Sequence, residues 1–154
     1  MTPLDTRISP NFTWKELTDT SRSALLAKNR EEAERFKAPL TALANELLEP
    51  LRAEFGPLQI NSAFRGPSLN AAVNGRPGSQ HLRGEAADLV PLRKGVTLEQ
   101  IFRWVKASPL KFGQVIWECP SPTSQWLHLS LGEPWRTRNN RDARYFDGKT
   151  YTPR

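Results

Sequence analysis

Gln125-Trp126-Leu127-His128-Leu129-Ser130-Leu131 alternates apolar and polar side chains with a period of two. Such alternation specifies a strand with one face in a core and one face outside it. Leu127, Leu129 and Leu131 define the core face, which puts Trp126, His128 and Ser130 on the other. Upstream, Gln114 to Glu118 reads as a second strand, joined to the first by a proline-rich turn from Cys119 to Ser124. Ala86 to Val90 and Leu58 to Phe64 read as two more. The connections are mostly too short for crossover helices, so the sheet is expected to be mostly antiparallel.

Helices gather toward the N-terminus. Phe36, Leu40, Leu43, Leu47, Leu51 and Phe55 recur at three- or four-residue steps and predict a helix over Glu31 to Phe55. Pro39 and Pro50 fall inside that stripe and predict a kink or break near each. Gly56-Pro57 ends it. Phe12-Thr13-Trp14-Lys15-Glu16-Leu17 carries a capping-box signal, with Thr13 as N-cap and Glu16 three residues on. Ser68 to Val73 reads as a short helix ended by Asn74-Gly75, and Thr97 caps an amphipathic helix running to Ala107. Helices first and strands later give an α+β domain with a small, mostly antiparallel sheet.

At 154 residues, one domain spanning 1–154 is expected. No apolar run reaches the length of a membrane span. The first dozen residues contain Asp5 and Arg7 and lack the apolar stretch of a secretory signal, so synthesis in the cytoplasm without a signal peptide is expected. With one cysteine, Cys119, the chain has no internal disulfide. The net charge of +6, with a pI near 9.9, favours polyanionic partners such as nucleic acid or the anionic bacterial wall. No aromatic-basic ladder supports nucleic acid, and the arginines near the C-terminus (Arg136, Arg138, Arg141, Arg144 and Arg154) read equally well as a solvated basic tail.

The chain has two histidines. On residue type alone a lone histidine is more often a hydrogen-bonded residue than a ligand, so the local context decides. His128 lies on the polar face of its strand. Asp88 shares its strand face with Ala86 and Val90, where a carboxylate needs a partner. His81 precedes Asp88 by seven residues, across Gly84, which lets the chain turn so that both reach one ion. Two imidazoles and a carboxylate suit Zn²⁺, and three protein ligands leave the fourth position for water.

Ser79-x-His81-x-x-Gly84-x-Ala86-x-Asp88, followed by Trp126-x-His128, resembles the zinc D,D-carboxypeptidase and L-alanyl-D-glutamate endopeptidase family, many of whose members are phage endolysins or related prophage proteins. Ile60 to Asn70 is similar to that family's Thr-Ser-Gly-Tyr-Arg-Ser-x-x-Leu-Asn segment, and Phe12 to Leu17 to its N-terminal Phe-x-x-x-Glu-Leu. The likeness runs over roughly residues 11 to 145. It implies a hedgehog/D,D-peptidase-like fold, zinc on His81, Asp88 and His128, and hydrolysis of peptidoglycan stem peptides at a D-Ala-D-Ala or an L-Ala-D-Glu bond. It implies that Arg65 grips a substrate carboxylate or carbonyl near the metal, a task suited to a planar, permanently charged guanidinium. Ser79 orients substrate or loop, or is simply a turn serine. Trp126 walls the pocket or merely packs beside it.

A zinc peptidase needs a carboxylate to move the proton. In several relatives a Glu stands three residues before the second histidine, where this chain has Gln125. Glu118, at the end of the preceding strand, is the expected base. Glu85 is poorer, because alternation points it away from Asp88. Asn139, Asn140 and Arg141 resemble a C-terminal family feature of underived role. The resemblance implies a monomer acting at the bacterial wall or periplasm, of phage or prophage origin. Two other readings stand beside it: a zinc-containing wall-binding or virion module that lost turnover with Gln125, and a cysteine hydrolase pairing Cys119 with His128, which alternation disfavours.

Overall fold

A computed structural model of the chain describes residues 1–132 and 140–154. Its main sheet has six strands: β3 (Leu58–Ser62), β4 (Ala86–Pro91), β5 (Gln114–Ser121), β6 (Ser124–Ser130), β7 (Asp142–Phe146) and β8 (Tyr151–Pro153). They lie in the order β3-β4-β6-β5-β7-β8. Every neighbouring pair is antiparallel except β5 and β7, which are parallel. A two-stranded ribbon of β1 (Arg7–Ser9) and β2 (Phe12–Thr13) stands apart from it. The architecture is α+β, with a mostly antiparallel sheet.

The helices α1 (Trp14–Thr18), α2 (Ser23–Ala33), α3 (Lys37–Leu43) and α4 (Glu49–Phe55) precede the main sheet. Leu40, Leu43, Leu47 and Leu51, the middle of the apolar stripe, are completely buried, while Phe36 and Phe55 pack at its ends. Each proline marks an irregularity. A 3-10 turn over Glu34–Phe36 precedes the segment containing Pro39, and a π-helical turn over Ala44–Leu48 leads into Pro50 at the start of α4. A proline inside a helix lacks a donor and crowds the carbonyl four residues back, so the ladder shifts register around it.

Thr13 caps α1 and Thr97 caps α6 (Leu98–Ala107), both through capping boxes, with Glu16 and Gln100 as the reciprocal partners. The remaining helix, α5 (Pro67–Ala72), follows β3. Ala87 and Leu89 on β4, Val115 on β5 and Leu127 and Leu129 on β6 form one core with the leucines of α3 and α4 and with Ile101 and Val105 of α6. The opposite face of β4, β5 and β6 therefore carries the other parity of residues, among them Asp88, Glu118 and His128.

Four expectations need correction. The first long helix starts at Ser23, as α2, rather than at Glu31. Strand β3 stops at Ser62, two residues early. The turn placed at Cys119 to Ser124 is only Pro122-Thr123, because Ser121 already pairs with Ser124. Pro120 is tolerated there since β5 leaves its regular pairing after Glu118, so no ladder donor is missed. Strands β7 and β8 lie beyond the strands that the sequence predicts.

Gly84 ends the 3-10 turn over Gln80–Arg83 in the left-handed region, at φ 68°. A Cβ there would stand 3.0 Å from Leu40 Cγ and 3.2 Å from Phe36 Cβ. Both costs fall on any other residue, so Gly84→Ala is expected to destabilise by about 2 kcal/mol or more. A lower urea midpoint with unchanged slope would show it.

Candidate metal centre

Asp88 on β4 and His128 on β6 are direct cross-strand partners. Side chains so paired project from the same face within about 5 Å of each other. His128 Nδ1 lies 3.0 Å from Asp88 Oδ1. His81 enters from the 3-10 turn that precedes β4, and its Nε2 lies 3.3 Å from the same oxygen. The two rings are 5.2 Å apart, edge to face.

The turn holding His81 is fixed from three directions. The Ser79 hydroxyl caps it, accepting from the His81 N–H at 3.2 Å. The Arg65 N–H donates to the His81 carbonyl at 3.0 Å. His81 Nδ1 lies 2.7 Å from the Ala63 carbonyl, an acceptor only, so Nδ1 carries a proton and Nε2 is left to face Asp88, as a ligand nitrogen when an ion is bound or as a donor to that carboxylate without one. A buried imidazole held in that tautomer is prepared to ligate.

One donor atom from each of His81, Asp88 and His128 falls within 4.8 Å of the other two. Atoms bound roughly 2.05 Å from a tetrahedral zinc stand about 3.3 Å apart. The 3.0 and 3.3 Å separations from Asp88 Oδ1 are close to that edge, and all three donor atoms fall within 4.8 Å of one another. Burial on its own pushes the Asp88 carboxyl up, but the charge of His81 and hydrogen bonds from His128 and His81 outweigh it and hold Asp88 well below the usual carboxylate range. An anion kept ionised among two imidazoles is the donor chemistry a divalent cation takes, so the residues present fit zinc.

Arg65 follows β3 and is half-buried. Its Nη2 donates to Ser79 Oγ at 3.3 Å, while its buried Nε has no hydrogen-bond partner among the described residues. Burial pushes its guanidinium down and the charge of Asp88 pushes it up. Ser79 thus links Arg65 to the His81 turn. A buried side chain places Arg65: Asn29 of α2 donates to the carbonyls of Thr18 and Phe64 and accepts from the Gly66 N–H at 2.7 Å, bracketing it. Nothing in the apolar pattern of α2 marked that asparagine.

Glu118 on β5 pairs directly with Trp126, and the next residue of that parity, Ile116, pairs with His128. Glu118 is therefore diagonal to His128 on the same face, at a Cβ separation of roughly 7 Å that one water can bridge. It is 8% exposed. Burial, and secondarily the charge of Asp88, raise its carboxyl to about 7, with His128 and Arg76 opposing. Gln125 is exposed on the Leu127 parity, turned away from His128. Glu85 is buried against Arg83 and Gln80. Cys119 is on the parity opposite Glu118, and burial pushes its thiol up. Asn139 lies outside the described residues, as do Arg136 and Arg138. The Arg141 guanidinium donates to the carbonyls of Lys106, Ser108 and Leu110, which ties the start of β7 to the end of α6.

An α+β chain with two histidines and an aspartate converging on the open face of its sheet, and a buried glutamate one step away, has the make-up of a zinc-dependent hydrolase. A family model described as Peptidase M15 matches residues 10–118, and the chain belongs to that family of zinc-dependent peptidases. The match takes in His81, Asp88 and Glu118 and ends before His128. No curated protein matches the chain.

Proposed function

We propose that this chain is, over residues 1–154, a single-domain zinc peptidase that hydrolyses peptidoglycan stem peptides, at a D-Ala-D-Ala or an L-Ala-D-Glu bond. The observation that carries the reading is the convergence of His81, Asp88 and His128 within ligand distance of one another, with the buried acid Glu118 on the same face.

His81 Nε2, Asp88 and His128 Nδ1 would hold the ion. Bound zinc supplies Lewis acidity and brings the pKa of a water down to roughly 7. Glu118 accepts the proton of the attacking water and returns it to the leaving amine, a transfer favoured by a carboxyl whose affinity for protons lies near neutrality. Arg65, half-buried beside the His81 turn, offers its guanidinium to a substrate carbonyl or carboxylate, where a fixed positive charge also favours the oxyanion that develops. Ser79 keeps Arg65 and the His81 turn in register. Trp126, half-buried beside Glu118, forms a wall of the cleft. Among the described residues no helix is long and apolar enough to cross a membrane. The expected place of action is the bacterial wall, with the enzyme monomeric and phage- or prophage-derived.

Digestion of purified peptidoglycan tests the reading. Soluble peptides with new termini, or released D-alanine, should appear in the mass spectrum and vanish with a chelator. A protein that binds zinc stoichiometrically and leaves the wall peptides intact would instead be a wall-binding or virion module on this fold.

A further inference from the structure

The C-terminal hairpin lies beyond the part of the chain that the family model matches. Its register brings it to the site. Glu118 pairs with Trp126 on one side and with Phe146 of β7 on the other, and Phe146 pairs with Tyr151 of β8. Directly paired residues share a face. Trp126, Glu118, Phe146 and Tyr151 thus form one cross-strand row, next to the row that holds Asp88 and His128. Phe146 and Tyr151 stack at 4.4 Å, and Tyr151 keeps 40% of its surface exposed.

Above that ring sits Arg76, its guanidinium carbon 5.8 Å from the Tyr151 ring centroid. Its backbone is pinned, since its carbonyl accepts from Asn70 Nδ2 and from the Ser79 N–H, each at 3.0 Å. Its side chain is exposed and forms no ion pair with any described residue. A guanidinium resting on an aromatic face keeps its N–H edge free, and that edge matches a carboxylate bidentately. The pair is close enough to the reacting region for charge to be felt: burial and the charges of Glu118 and Asp88 push the Tyr151 hydroxyl up, and Arg76 opposes them.

We propose that Arg76, seated on Tyr151, is a specificity-determining subsite that binds a free carboxylate of the substrate peptide beside Glu118. This rests on the peptidase reading above and adds the substrate class: peptides carrying an ionised carboxylate near the scissile bond. Tyr151 and Phe146 give the guanidinium a rigid floor, and the cation selects the acid over its amide. Stem peptides offer such a group in the free carboxyl of their glutamyl residue.

The test uses the full chain loaded with zinc and two synthetic stem pentapeptides, alike except that the glutamyl free carboxyl is acid in one and amide in the other. Binding to the Glu118→Gln protein and turnover by the otherwise native protein are measured for each. A charge-assisted contact predicts that native Arg76 favours the acid by about 10- to 100-fold in Kd and in kcat/KM. Arg76→Gln should abolish the preference, in Kd on the Glu118→Gln protein by weakening the acid alone, and Tyr151→Ala should reduce it in the same direction. Equal losses in Kd on both peptides, or an undiminished preference in Arg76→Gln, would overturn the proposal and leave the peptidase reading standing. Acid-selective binding that depends on Arg76, without turnover by the native protein, would keep the subsite and remove the peptidase reading.

Discussion

Asp88→Asn is expected to leave the protein folded, unable to retain stoichiometric zinc and inactive on wall peptides. The substitution keeps the side chain's size and removes the anion toward which both imidazoles point, at 3.0 and 3.3 Å. Loss of an outer-shell partner typically costs 10- to 100-fold in metal affinity, so loss of a ligand should exceed about 100-fold. Turnover should fall by about 10³-fold or more, because the stabilisation a metal gives a developing charge is several kcal/mol. Elemental analysis gives a readout independent of activity, and thermal unfolding gives another. Zinc at a thousand times its Kd stabilises a folded chain by about 4 kcal/mol, or roughly 10 °C in a protein of this size. The native protein should show that rise and Asp88→Asn should not.

The metal-free protein carries a pH signature of the same residue. The Asp88 carboxyl is depressed in the fold, so its contribution to stability is present above its unfolded value and is lost as pH falls through its folded one. The stability gap between native and Asp88→Asn should therefore narrow in strong acid. A native protein that binds no metal, or an Asp88→Asn protein that binds it as well, would break the assignment of the centre.

Legibility in the sequence followed local periodicity. The parity of Gln125 to Leu131 placed His128 on the open face, and the structure pairs it with Asp88. The stripe from Leu40 to Leu51 gave the helical side of the core, and its two prolines gave the irregular turns. What stayed hidden had no local signature. Helix α2 buries only Asn29 and Ala33, so no apolar stripe announced it. Strand β7 is half-exposed along its length and joins the sheet by parallel pairing with β5, a long-range choice that neighbouring residues do not encode. The nearness of Arg76 and Tyr151 to Glu118 is a product of that pairing, and it could not be read before β7 and β8 were placed. The metal donors were different. The short spacing from His81 to Asp88, with a glycine required at the left-handed position between them, writes much of the centre into a single segment. Gln125, three residues before His128 on its strand, falls on the opposite face and is exposed, whereas Glu118 shares the face of His128.

Glu118→Gln is expected to lower kcat by about 10²- to 10⁴-fold while zinc content stays at one per chain. The amide has the carboxylate's shape and cannot take a proton, so the loss should appear in kcat more than in KM. The direction of the pH dependence follows from the same group. Buried in the metal-free protein, Glu118 is raised to about 7. A base acts when deprotonated, so native kcat/KM should fall on the acid side with unit slope. A nearby divalent cation favours the carboxylate, which puts that limb below 7 in the loaded enzyme. The Gln variant should lack it. Stability runs the other way. A carboxyl raised from 4.5 to about 7 by folding contributes stability that is complete below 4.5 and lost as pH rises through 7. Metal-free Glu118→Gln should then match the native protein near pH 4 and exceed it at pH 8, by about 1–2 kcal/mol once solvent screening has reduced the full effect of the shift. A residue poised for proton transfer at the cost of the fold is the pattern of a functional site. Should Glu118→Gln gain this stability yet hydrolyse wall peptides at the native rate, the proton would have to travel by another group, and the burial of Glu118 would need a different explanation.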